Sequence, residues 1–138
     1  MIYLLDVNAL VALGFAEHEF HTRVAHWART LEAAAELGTC AITELGFVRI
    51  LAQAPQYSIS VEQGRTLLGR LKAEPSRSFR FLLDALGAER LPKWVKSGRQ
   101  TTDGHLAELA TAHGGRLATL DQGIPGAYLI PGSKDSHR

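Results

Sequence analysis

The 138-residue sequence has one cysteine, Cys40, so no disulfide can close within the chain and no cysteine-rich metal site can assemble. Cys40 therefore reads as a small core residue in a reducing compartment. Nowhere do about 18 uncharged apolar residues run together, which excludes a spanning helix. The opening Met1-Ile2-Tyr3-Leu4-Leu5-Asp6 has no basic leader, no long apolar core and no small-residue cleavage site. No secretory signal is expected, and the expected location is cytoplasmic. There is no internal repeat and no linker. With 46% hydrophobic and 21% charged residues, disorder is excluded, and the length suits one ordinary core. A single domain over residues 1–131 is expected, with a flexible C-terminal tail at 132–138.

The net charge of +1 conceals an uneven distribution. Residues 65–100 carry nine basic side chains against three acidic ones, a net of +6, so the remainder sums to −5. Such a segment is either a solvated face or a surface suited to a polyanion.

Short apolar runs alternate with helical spacing. Ile2–Leu5 ends at polar Asp6 and Asn8, as a buried strand does at a loop. A short helix is expected over about 9–15. Val24, Trp27, Leu31 and Ala34 then mark a helix within 20–37, stopped by Gly38. Thr39–Ile42 reads as a strand, followed by a helix through Glu44–Leu51 with Thr43 as its cap. Ser60 and Gln63 form a capping box for a helix carrying Leu67, Leu68 and Leu71. Phe79–Leu83 suits either strand or helix. Leu106, Leu109, Ala110 and His113 share a helix face from Thr102, which Gly114-Gly115 ends, and strands are expected at 116–120 and 127–130. Strands alternating with helices imply an α/β domain with a mostly parallel sheet covered on both faces.

In such sheets ligands collect beyond the carboxyl ends of the strands, and there the sequence places its acids. Asp6 and Asp121 end expected strands, while Glu44 and Asp103 open helices. Each has an ordinary explanation: the helix dipole favours Glu44 and Asp103, and Asp6 and Asp121 can serve as turn residues. Together, like charges at one rim repel unless a cation or proton intervenes. Oxygen ligands without His or Cys suit Mg²⁺, or Mn²⁺ in its place, and such an ion supports phosphodiester hydrolysis.

The stretches LLDVNAL (4–10), TELGFVRIL (43–51), TTDGHLAELA (101–110) and LATLDQG (117–123) resemble, in order, the four conserved blocks of PIN domains, closest to VapC-type toxins of type II toxin-antitoxin systems. The resemblance implies a three-layer α/β/α PIN-like domain and an Mg²⁺-dependent endoribonuclease that hydrolyses RNA with a metal-activated water. It further implies a cognate antitoxin and a homodimer. It carries the metal-ligand role to Asp6 and Asp103 and an active-site acid role to Glu44 and Asp121, all four being candidate ligands. Asn8 and Thr119 match supporting polar positions. Gly104 departs from the pattern, where a bulkier residue is usual, and is expected to loosen its helix start.

Arg49, Lys93, Lys96 and Arg99 are candidates for contacting RNA phosphates, and Trp94 for stacking a base, with packing the alternative for Trp94. His18, His21 and His26 lack the spacing of a zinc site and read as surface or helix-face residues. His105, close to Asp103, could touch substrate, and His113 reads as packed. The competing function is a non-catalytic α/β regulatory or partner-binding domain with a single Mg²⁺ site. A receiver-like module or an aspartyl phosphatase would want a second acid beside Asp6, and the sequence has Val7 and Asn8 there.

Overall fold

Successive side chains of a strand point to opposite faces, so a run apolar at every position belongs in a sheet covered on both sides. In the computed structural model, which describes residues 1–132, Ile2–Leu5 forms such a strand, β1. Ile2 and Leu4 enter one hydrophobic cluster, while Leu5 enters the other with Tyr3 packed against it. β1 is the centre of a five-stranded, all-parallel sheet with β2 (Glu36–Thr39), β3 (Phe79–Phe81), β4 (Arg116–Thr119) and β5 (Tyr128–Leu129), in the order β3-β2-β1-β4-β5.

One face is covered by α1 (Val7–Gly14), α2 (His21–Thr30), α3 (Ala41–Gln53) and α4 (Val61–Lys72), whose apolar sides meet around Leu10, Trp27, Phe47 and Leu71. The other face is covered by α5 (Thr101–Ala112) and the crossing that leads to it, packed around Leu82, Leu106 and Leu109. This is the three-layer α/β/α arrangement. Among the described residues no helix is long and apolar enough to cross a membrane. The tail expected at 132–138 lies outside the described residues beyond 132.

Several local expectations hold in detail. Ser60 and Gln63 exchange side-chain and backbone hydrogen bonds at the head of α4. Gly114 takes a positive φ of 78° after α5, and Gly114 and Gly115 donate back to Thr111 and Ala110, which terminates the helix. Phe79–Phe81 is strand.

Several expectations are corrected. The helix placed over 20–37 ends at Thr30, Leu31 turns extended, and Ala34 is exposed. The residues beyond it are required as β2, which pairs with β1 and β3 at once. Gly38 is thus no helix stop but a strand residue, where a Cβ would lie 3.2 Å from Ile2 and 3.4 Å from the Leu4 Cα. The second strand accordingly ends at Thr39. Cys40 caps α3, with the Thr43 hydroxyl accepting from the Cys40 N–H at 2.9 Å.

Gly104 is also corrected, since it does not loosen the start of α5. A Cβ there would fall 2.3 Å from Val95 and 3.3 Å from Pro92. The missing side chain lets the 92–95 segment seat directly on the first turn of α5.

Candidate active site

The strand order reverses at β1: the chain leaves β1 toward β2 on one side, and β4 lies on the other. Crevices at such reversals, beyond the carboxyl ends of the strands, are where open α/β sheets bind ligands. Asp6 follows β1 and Asp121 follows β4, so these two acids flank the crevice.

Asp6 is almost fully buried. Its Oδ1 accepts the Ala9 N–H at 2.9 Å, capping α1, and its Oδ2 accepts the Thr119 hydroxyl at 2.5 Å. Thr119 in turn accepts the Asp121 N–H at 3.0 Å, and Asp121 Oδ1 accepts the Gly123 N–H at 2.8 Å. The local backbone bonds expected of Asp6 and Asp121 as turn residues are therefore both made, that of Asp6 as the cap of α1, and these bonds fix where the carboxylates stand.

Burial raises the Asp6 carboxyl above its usual range, and the charges of Asp103 and Asp121 push the same way, against the bonds from Thr119 and Ala9. Burial also raises Asp103, with Asp121 adding to it. These three aspartates form one mutually repelling group. Among the described residues Asp103 takes no hydrogen bond or ion pair through its side chain.

Glu44, the fourth acid, has partners of its own. From the first turn of α3 its Oε2 accepts the Thr39 hydroxyl and the Lys72 ammonium, each at 2.6 Å. Thr39 and Lys72 escaped the sequence reading. Thr39 had a sign in its position, because it ends β2 as Thr119 ends β4, each holding an acid. Lys72 had none, since its approach depends on how α4 packs on α3.

A cleft of about 400 Å³ opens over Asp6 and Asp121, lined also by Asn8, His18, Glu19, Phe20 and Leu120. Asn8 is exposed at its edge. The three residues from the α1–α2 loop were not foreseen as site residues. Of the other histidines, the His21 ring donates to the Ala12 carbonyl at 2.8 Å, His26 is exposed, and His105 pairs with Asp84 at 2.5 Å. Burial pushes Asp84 up, but bonds from His105 and the Leu86 N–H outweigh it and hold its carboxyl low. His113 is half-buried and bonds to the Leu83 carbonyl at 2.9 Å.

Arg49, Lys93, Lys96 and Arg99 are exposed and unpaired among the described residues. Trp94 packs against the second core cluster and lines a shallow pocket with Arg116, which begins β4. That places it toward the strand end opposite the acids, in the packing role.

The donor set tests whether an ion fits. Among the described residues no three His, Cys, Asp or Glu side chains already form a cage. Mg²⁺ needs none, since it keeps several waters and is held by one or two carboxylates together with substrate phosphate. An uncompensated group of oxygen-bearing aspartates suits such a cation.

The raised carboxyls carry a consequence for stability. A group whose folded pKa lies above its unfolded value contributes stability that is present below the unfolded value of 3.8 and lost as pH rises through the folded one. Without divalent ions the Asp6 and Asp103 carboxyls are therefore expected to lower the melting temperature at neutral pH relative to mild acid, against the opposite contribution of Asp84. Asp6→Asn, which can still cap α1, should raise the neutral-pH melting temperature and flatten this profile. An unchanged profile in calorimetry would show that Asp6 carries no such penalty.

Comparison with known proteins matches residues 3–128 to the family model described as PIN domain. Ribonuclease VapC38 of Mycobacterium tuberculosis (strain ATCC 25618 / H37Rv) is 40% identical over 125 residues, covering 88% of this chain and 86% of its own length. Ribonuclease VapC44 of Mycobacterium tuberculosis (strain CDC 1551 / Oshkosh) is 38% identical, covering 97% and 95%. Ribonuclease VapC29 of the same strain is 35% identical, covering 95% and 98%.

Proposed function

This chain belongs to the PIN-domain family, and from that premise we propose that it is an Mg²⁺-dependent endoribonuclease acting as the toxin of a toxin-antitoxin pair in the cytoplasm. The observation that carries the reading is the group of Asp6, Asp103 and Asp121, in which burial and the neighbouring carboxylates raise the proton affinity of Asp6 and Asp103, and to which no cationic side chain among the described residues is paired. The ribonuclease names of relatives covering nearly the whole chain support the same substrate class.

In this reading Asp6 and Asp103 hold the ion, Mg²⁺ or Mn²⁺, with Asp121 beside them. When bound, the ion supplies Lewis-acid stabilisation of phosphate charge and eases deprotonation of the attacking water. Asp121 has Oδ1 engaged by Gly123, which leaves Oδ2 to orient that water and accept its proton. Thr119 keeps Asp6 and Asp121 in register, and Asn8 orients substrate at the cleft edge. Glu44 fixes the Lys72 ammonium at the same edge of the sheet, where a positive charge offsets that of the RNA backbone. Arg49, Lys93, Lys96 and Arg99 extend the contact to flanking phosphates. The partners are RNA, an antitoxin that occludes the cleft, and a second copy of the chain as homodimer.

The test has two arms. Purified protein should cut RNA in Mg²⁺, stop on chelation with EDTA and resume with Mn²⁺. Induced in a bacterial host without antitoxin, it should generate new RNA 5′ ends at a few defined sites. Soluble, folded protein that yields no new ends and no cleavage would reject the reading in favour of a non-catalytic partner-binding role.

A further inference from the structure

The cleft has two unlike sides. Asp6 and Asp121 line it from the strand ends, and the α1–α2 loop contributes His18, Glu19 and Phe20, adding an imidazole and an aromatic ring to a third carboxylate. Phe20 is among the large hydrophobic residues left exposed, at 40%. Its place is not loose. His18 N–H bonds to the Phe15 carbonyl and His21 N–H to the His18 carbonyl, each at 3.0 Å, and the His21 ring ties the head of α2 to Ala12 of α1. An aromatic ring presented to water on an anchored loop, beside an acid group, needs a reason beyond packing.

The ring of His18 is also oriented. Its Nδ1 accepts the Phe20 N–H at 3.0 Å, and the two rings lie 5.9 Å apart between centroids. A neutral imidazole that accepts through Nδ1 carries its proton on Nε2. Burial favours that neutral form, against the pull of Glu19. His18 thus offers the cleft a single uncharged donor, and Glu19 offers acceptors only. A donor and an acceptor suit the edge of a base or a ribose hydroxyl, and a carboxylate does not suit a phosphate. The volume of about 400 Å³ lies at the lower end of small-ligand sites, about 300–1,000 Å³, enough for one nucleotide and not for a helix. Single-stranded RNA is commonly read in this manner, with unstacked bases laid on aromatic rings.

We propose that Phe20 is the stacking platform for one unpaired nucleobase adjoining the scissile phosphate, with His18 and Glu19 reading its edge or its ribose. This rests on the ribonuclease reading. Phosphate then lies toward Asp6 and Asp121 and the base toward the α1–α2 loop, so the loop sets which nucleotide is presented for cleavage.

The test uses the full-length protein and a short RNA chosen from a randomised pool as one that the wild type cuts. That RNA is resynthesised with a single abasic nucleotide at each position around the cut. For the wild type, one abasic position next to the cut should reduce cleavage by about tenfold, the scale of losing one base-aromatic stack. Phe20→Ala should lose a similar factor on the intact RNA, mainly in KM, and nothing further at that abasic position. Phe20→Leu, apolar but without a ring face, should behave as the alanine variant, and Phe20→Trp should recover cleavage. Matching melting curves would separate these effects from misfolding. Equal losses for Phe20→Ala at every position, or none, with the wild type active, would overturn the stacking site alone. A wild type that neither cuts nor binds the pool would overturn the ribonuclease reading, and the stacking site with it.

Discussion

Asp103→Asn is expected to reduce RNA cleavage by about a thousandfold while the melting temperature hardly moves. The size follows from the chemistry assigned to the site: an ion worth several kcal/mol of charge stabilisation, at about 1.36 kcal/mol per tenfold in rate. The insensitivity of the fold follows from the surroundings of Asp103. Its side chain takes no hydrogen bond or ion pair among the described residues, so an amide of the same shape breaks none. Losing an acid from the first turn of α5 forgoes about 0.3–1 kcal/mol of helix-dipole stabilisation. Relief of repulsion from Asp6 and Asp121 acts in the opposite direction. Single-turnover cleavage and a thermal melt, made together on wild type and variant, provide the check. Cleavage within about tenfold of wild type would remove Asp103 from the metal site. A large drop in melting temperature would instead assign it a structural role.

Gly115→Ala should have the largest effect on stability. The added Cβ would lie 2.3 Å from the Ile2 carbonyl oxygen, with Ile2 Cβ at 2.9 Å and the carbonyl carbon at 3.0 Å. The obstacle is largely backbone and cannot rotate away, as a flexible side-chain tip could. Relief requires the entry of β4 to move off β1, where Tyr3 pairs with Arg116, or the end of α5 to unwind. Overpacking of this kind costs about 3 kcal/mol, which for a domain of this size lowers the melting temperature by roughly 10 °C. A shift of only a degree or two by calorimetry would mean that the two strands part at Ile2 with little resistance.

What the sequence revealed depended on how local its cause was. The first strand was readable because every residue of Ile2–Leu5 is apolar and both faces are covered. Ser60 and Gln63 were readable because a capping box lies within four residues. Glu36–Thr39 was hidden because its helical periodicity continues that of α2, and only pairing with β1 and β3 makes it a strand. Asp6, Asp103 and Asp121 were foreseen as neighbours from their places at strand and helix ends, and each raises the proton affinity of Asp6 or shares in that rise. Glu44 was foreseen at the same edge, but its ion pair with Lys72 was not, being a matter of helix packing across 28 residues. His18 was read as an ordinary residue and Phe20 was not singled out for the same reason: their meeting with Asp6 at the cleft is made by the return of α2 over the sheet. Gly104 was misjudged because a glycine was weighed by its own flexibility, when Val95 and Pro92 were what required it.

The reversal of strand order at β1 also bears on how such a molecule diversifies. Because the acids come from four well-separated stretches of chain, between residues 6 and 121, no single exchange of a loop can import the arrangement whole, while the loss of one acid is enough to break it. The crossing between β3 and α5, by contrast, is one contiguous insert seated on α5 through Gly104 and carrying Lys93, Lys96 and Arg99. Inheritance can therefore act on the two separately. The acids can be kept only as a set, whereas exposed Lys93, Lys96 and Arg99 of the crossing can change one at a time and leave that set as it was.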